Sequence, residues 1–148
     1  MKTFLVLLLL IPGLSWSSED LGGTILNCDI EFGYFEDEWV YRGYIFNSKF
    51  HKGEEGGRLV IQRLYNHKTA PDIFEQIYTT TLTKINIYGR ESLRKMAEID
   101  RKTLILKFMH SKTSTNCEIY DGSLEELLQE WENDKEMRTN KIKKQNKI

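Results

Sequence analysis

Leu82-Thr83-Lys84-Ile85-Asn86-Ile87-Tyr88-Gly89-Arg90-Glu91 closes a run dense in β-branched residues, with Ile77, Thr79, Thr80 and Thr81 just before it. Such side chains hold one χ1 rotamer and pack well on a pleated surface. Residues 74–88 are therefore predicted as strand. Gly89 punctuates that strand. Beyond it, Leu93, Met96 and Ala97 fall at i, i+3 and i+4, so residues 91–100 are predicted as a short helix.

Toward the N-terminus, residues 58–65 are rich in Leu, Val and Ile and read as another strand. The Gly-rich segment Lys52-Gly53-Glu54-Glu55-Gly56-Gly57 before it reads as a hairpin connection. Further back, Val40, Tyr44, Phe46 and Phe50 share one face of a long strand, with Trp39, Tyr41 and Ile45 on the other. Ile30, Phe32 and Tyr34 alternate with polar residues or glycine in a first strand from Cys28. Residues 18–27, with Gly22-Gly23, read as a flexible lead-in. Toward the C-terminus, residues 103–109 and 117–120 return to strand character. Ser123 and Glu126 then form a capping box, and Leu124, Leu127, Leu128 and Trp131 make one apolar helical stripe.

The chain has 148 residues, 21 Lys+Arg, 22 Asp+Glu, 3 His and 2 Cys. That length suits one domain. The net charge of −1 argues against a surface built to neutralise phosphate. Two cysteines alone cannot make a four-thiolate zinc site, and 40% hydrophobic residues suffice for a packed core.

Met1-Lys2, the apolar run Phe4–Ile11, Pro12-Gly13 and the small residues Ser15 and Ser17 have the pattern of a secretory signal peptide, residues 1–17. The apolar run is shorter than the ~20 residues of a spanning helix, and no later segment approaches that length. The expectation is a secreted, extracellular protein. Residues 18–137 form one domain and residues 138–148 a basic tail with Arg138, Lys141, Lys143, Lys144 and Lys147. The tail is either a solvated end or a site for an anionic surface or acidic partner. In an oxidising compartment Cys28 and Cys117 are expected to form one disulfide. By loop entropy, closing ~90 residues contributes ~4–5 kcal/mol. The chain holds no Asn-x-Ser/Thr sequon.

No metalloprotease, P-loop, nucleophile-elbow or dinucleotide motif occurs. His51, His67 and His110 lack acids or cysteines at metal-ligand spacing. No metal, cofactor or catalytic residue is assigned, and a non-enzyme is expected. A secreted hydrolase or nuclease using His51 and His110 is kept as an alternative.

Residues 82–91 resemble the lipocalin motif in which Tyr-Gly-Arg, here Tyr88, Gly89 and Arg90, closes the last barrel strand and opens a helix. A cysteine follows that motif in lipocalins, as Cys117 does here. The family's N-terminal Gly-x-Trp is missing, since Gly22-Gly23-Thr24-Ile25 holds no Trp. The resemblance implies a secreted barrel carrying a small apolar ligand, with Arg90 packed near its closed end.

Together these readings predict an α+β fold. An antiparallel, partly barrel-like sheet of five or six strands carries a short helix and a C-terminal amphipathic helix. That last helix is expected to dock on Leu59, Ile61, Ile85, Leu104 and Leu106. The leading expectation for function is a non-catalytic binding protein meeting an extracellular protein through Trp39, Tyr41, Tyr44, Phe46 and Phe50. The alternative is a lipocalin-type carrier of a small apolar ligand.

Overall fold

Eight antiparallel strands in sequence order close on themselves as an up-and-down barrel, and one long helix follows. The computed structural model describes residues 19–35, 37–50, 57–66 and 71–146. The expected signal peptide, the Lys52–Gly56 part of the Gly-rich loop, His51 and His67 lie outside the described residues. The strands are β1 (Ile25–Phe32), β2 (Trp39–Phe50), β3 (Arg58–Asn66), β4 (Asp72–Thr80), β5 (Lys84–Gly89), β6 (Lys95–Asp100), β7 (Ile105–Phe108) and β8 (Ser114–Ile119). The helix is α1 (Leu124–Gln145).

Closure removes the free edges of the sheet. The closing seam between β1 and β8 is short, with Leu26, Asn27 and Cys28 opposite Ile119, Glu118 and Cys117. The disulfide Cys28–Cys117 bridges directly opposed residues of that seam. The covalent link and the last strand pairing therefore fasten the same place.

Side chains alternate across the wall, as a period of two requires. Leu26, Cys28, Tyr44, Phe46, Val60, Tyr78, Ile85, Ile87, Ala97, Ile99, Leu106 and Cys117 form one buried cluster, the barrel interior. Ile25, Trp39, Tyr41, Tyr65, Leu127 and Trp131 form a second, between the outer wall of β1–β3 and α1. Of the two aromatic faces read in residues 39–50, Tyr44 and Phe46 are covered by the barrel and Trp39 and Tyr41 by the helix, while Phe50 at the strand end is exposed.

Ser123 caps α1 as expected. Its hydroxyl accepts from the Glu126 amide at 3.2 Å, and the Glu126 carboxylate accepts from the Ser123 amide at 2.6 Å. Trp131 fixes the docking. Its ring stacks on Tyr41 at 5.8 Å, and its indole N–H donates to Asn27 at 3.1 Å. Gly43 makes room for it: a Cβ there would lie 3.0 Å from the indole ring.

Several expectations are corrected. Residues 95–100 are strand β6, not helix. The i, i+3, i+4 pattern was outvoted by pairing with β5 and β7, which buries Ala97 and Ile99. Residues 74–88 split into β4 and β5 at the turn 81–83, and this split together with β6 gives eight strands rather than five or six. The helix docks not on Ile85 and Leu106, which lie inside, but on Ile25, Tyr41, Tyr65 and their neighbours. Residues 138–145 continue α1 and are not a separate tail. The lead-in is ordered from Glu19: the Leu21 amide donates to the Tyr78 hydroxyl at 3.0 Å and the Glu19 amide to Thr80 at 2.6 Å.

Candidate functional site

Residues 19–24 and the turns 81–83 and 101–104 gather at one end of the barrel, here called the closed end. Leu21 packs against the interior cluster there, and Arg101 pairs with Glu19. Phe46 and Tyr78 meet edge to face at 4.9 Å, filling the section above that plug.

The other half of the interior is open. A cavity of about 310 Å³ is lined by Glu31, Arg42, Tyr44, Gln62, Gln76, Met96, Ala97, Phe108, His110, Ser111 and Thr113. Eight strands enclose a space wide enough for side chains or one small ligand. Here small Ala97 leaves the room unfilled.

The lining is polar in an ordered way. The Arg42 guanidinium reaches Glu31 through two nitrogens, at 3.1 and 3.2 Å. Its carbon lies 4.5 Å from the centre of the Phe108 ring. A bidentate pair on an aromatic face holds Arg42 in one orientation. Gln62 donates to the Tyr44 hydroxyl at 3.0 Å. Burial pushes that phenol up to about 12, so Tyr44 remains a neutral donor at any ordinary pH. The Gln76 side-chain oxygen is buried with no hydrogen-bond partner among the described residues. Such an acceptor costs free energy until a donor reaches it.

The described connections at this end are those between β1 and β2, at 90–94 and at 109–113. Arg90 therefore stands at the open rim, exposed and paired with Glu75, and not near the closed end as the resemblance implied. Tyr88 and Gly89 end β5, and the chain turns through Arg90–Arg94 into β6, with the Gly89 amide donating to the Arg94 carbonyl at 2.9 Å. His110 is exposed at the rim. Beside it the Ser111 and Thr113 hydroxyls bond each other at 2.6 Å.

The five aromatic candidates separate. Tyr44 lines the cavity. Phe46 packs below it in the dry interior, and Trp39 and Tyr41 lie beneath α1. Phe50 is exposed, with Arg58 stacked on it at 3.9 Å. Four of the five are thus buried and present no surface to a protein partner; the alternation of strand β2 placed them, not an interface. The reading from sequence missed Arg42, Glu31, Gln62 and Gln76. They are ordinary polar strand residues, and only closure of the barrel turns them inward together.

Outside the wall, a groove of about 530 Å³ runs between α1 and β1. Three of its four acids are engaged: Asp134 accepts from Tyr41 and Arg138, each at 2.6 Å, Glu130 from Tyr120 at 2.7 Å and Asp29 from Asn116 at 3.1 Å. Burial and the bond to Asp134 both raise the Tyr41 phenol well above its usual value. The groove is a helix-docking contact.

No helix among the described residues is long and apolar enough to cross a membrane. No family model matches the chain, and neither a curated protein nor a solved structure does. The architecture, an eight-stranded closed barrel followed by a helix, is consistent with the lipocalin-like fold that residues 82–91 suggested.

Proposed function

We propose that this chain is an extracellular, non-catalytic carrier of lipocalin-like type that holds one small amphipathic ligand in the open half of its barrel. One observation carries the reading: a cavity of about 310 Å³ whose wall includes the partnerless Gln76 oxygen and the fixed Arg42–Glu31 pair. A volume of that order suits a small-molecule site, where a few placed polar groups orient the guest. The apolar ligand of the earlier expectation fits poorly. A hydrocarbon would cover Arg42, Glu31, Gln62 and Gln76 without returning their hydrogen bonds, and that desolvation is costly. A ligand with a donor for Gln76 and an apolar body against Met96 and Phe108 fits better. The signal-peptide pattern and the disulfide at the barrel seam support an extracellular setting.

The test uses two fluorescent probes, anilinonaphthalene sulfonate as the amphipath and pyrene as the pure hydrocarbon. The amphipath is expected to saturate at one per chain. Gln76→Leu is expected to weaken it ~5–10-fold, about the value of one hydrogen bond. Ala97→Phe, which fills the cavity, is expected to abolish binding. Unchanged binding by Ala97→Phe, with the fold intact by circular dichroism, would place the probe elsewhere and defeat the reading.

A further inference from the structure

The rim around the cavity mouth carries several exposed apolar side chains among its charged ones. Phe32, Tyr34 and Phe35 stand exposed at the β1–β2 loop, Tyr34 at 96%. Ile73 and Phe74 at the start of β4, Leu93 in the β5–β6 turn and Met109 after β7 are exposed at the same end. At the closed end, Phe50, Leu82 and Ile119 are the exposed large apolar side chains among the described residues, fewer than at the open end. Leaving so many aromatic and aliphatic groups in water on one end is unfavourable unless that end meets something apolar.

The helix brings charge to the same end. α1 starts beside the closed end, and Arg138, in its fourth turn, lies over the Phe32 ring at 5.4 Å. Each further residue adds about 1.5 Å along the axis. Lys141, Lys143 and Lys144 therefore project ~5–9 Å beyond Arg138 on that measure, and all three are exposed. Acids are present on the rim: Asp37 and Glu38 in the β1–β2 loop, Asp72, Glu75 and Glu91. Glu75 is paired with Arg90. The lysines of the helix end have no acid within the last two turns of α1.

We infer that the open end docks on an anionic lipid bilayer, with Phe32, Tyr34 and Phe35 entering the interface and the lysines of the helix end lying against the headgroups. The occupant follows from the pairing of chemistries. Aromatic rings prefer the headgroup boundary, and clustered Lys/Arg beside them are drawn to a negative leaflet. Docking would also set the cavity mouth against the membrane, where an amphipathic ligand resides. This last consequence rests on the carrier reading; the docking itself does not.

The experiment measures co-sedimentation of the mature chain with vesicles of phosphatidylcholine alone and with 30 mol% phosphatidylserine (a chosen composition). The expected result is binding to the anionic vesicles that weakens with salt. Each lysine near the surface is worth about a fivefold change in partition. The triple variant Lys141→Gln/Lys143→Gln/Lys144→Gln should therefore bind ~100-fold less. In Tyr34→Trp, brominated lipid should quench the new indole. Three results would overturn the inference: no binding to either vesicle, binding without quenching of Tyr34→Trp, or self-association at micromolar concentration that buries the same rim. All the substituted positions are exposed, and none lines the cavity. Vesicles are bound or not whether the cavity is occupied or empty, so failure here leaves the probe-binding test of the carrier standing.

Discussion

At the closed end, the inward positions of β2, β3, β4, β6 and β7 hold Phe46, Val60, Tyr78, Ile99 and Leu106. One alternation or two further along the same five strands, the inward positions hold Arg42, Gln62, Gln76, Ala97 and Phe108. Backbone, register and closure are shared, so the side chains alone make one end a packed plug and the other a polar cavity. The boundary is the Tyr44–Gln62 hydrogen bond at 3.0 Å, where the last dry ring meets the first polar wall. A barrel of this size is solid by default. It becomes a container only where small and polar residues replace large apolar ones.

The sharpest break in that comparison is Phe46→Ala. The ring is 2% exposed and packed on Tyr78, and losing it should cost ~3–5 kcal/mol in chemical denaturation. A cost near zero would mean the closed end is as loose as the open one. Next comes Arg42→Met, which leaves the Glu31 carboxylate without its partner. The pair is 14% and 32% exposed, so the expected cost is ~1–3 kcal/mol, below that of a fully buried pair. Arg42→Met/Glu31→Leu should recover most of that stability while losing probe binding. That outcome would show that the open end keeps its charges for a guest and not for the fold. Tyr78→Phe removes the acceptor of the Leu21 amide and should cost ~1–2 kcal/mol. Faster hydrogen exchange at Leu21 is the specific sign that the plug has loosened.

The smallest effect belongs to the solvent-facing wall and calibrates the others. Hydrogen bonds from Lys84 and Lys95 hold the Glu98 carboxyl at about 2, against an ordinary 4.5. The folded value lies below the unfolded one, so the stabilisation is complete above about pH 4.5 and is lost as pH falls through about 2. Glu98→Gln should therefore cost ~1 kcal/mol at pH 7, and the difference from the parent should vanish near pH 2. An effect that persists there would make the role of Glu98 one of packing.

The particular elements show why some features were legible in sequence. Ser123 and Glu126 act within one helical turn, so the capping box needs nothing from the rest of the chain. The β2–β3 hairpin was readable because alternation and a Gly-rich segment are both local. β6 was not: Met96 and Ala97 satisfy a helical spacing, and only pairing with β5 and β7 makes the strand win. Arg90 was misplaced because a motif carries no information about which end of a barrel its turn occupies. The cavity was invisible for a related reason. Glu31, Arg42, Gln62 and Gln76 come from four strands and are separated by long intervals of sequence.

By itself, the sequence determined the local things: a half-buried β pattern through most of the chain, the capped helix with its Leu124–Trp131 stripe, and a cysteine pair available for a bridge. The strand pattern and the helix follow from residues within a turn or a pleat of one another, where periodicity and capping chemistry act, and the cysteine pair follows from the count of cysteines alone. The tertiary structure decided the number of strands, the closure of the barrel, the face on which α1 docks and the position of Cys28–Cys117 at the seam. It also decided that strand β2 divides its aromatics between two cores. Those outcomes depend on which residues become neighbours when β1 meets β8, and no local property of the chain encodes that meeting.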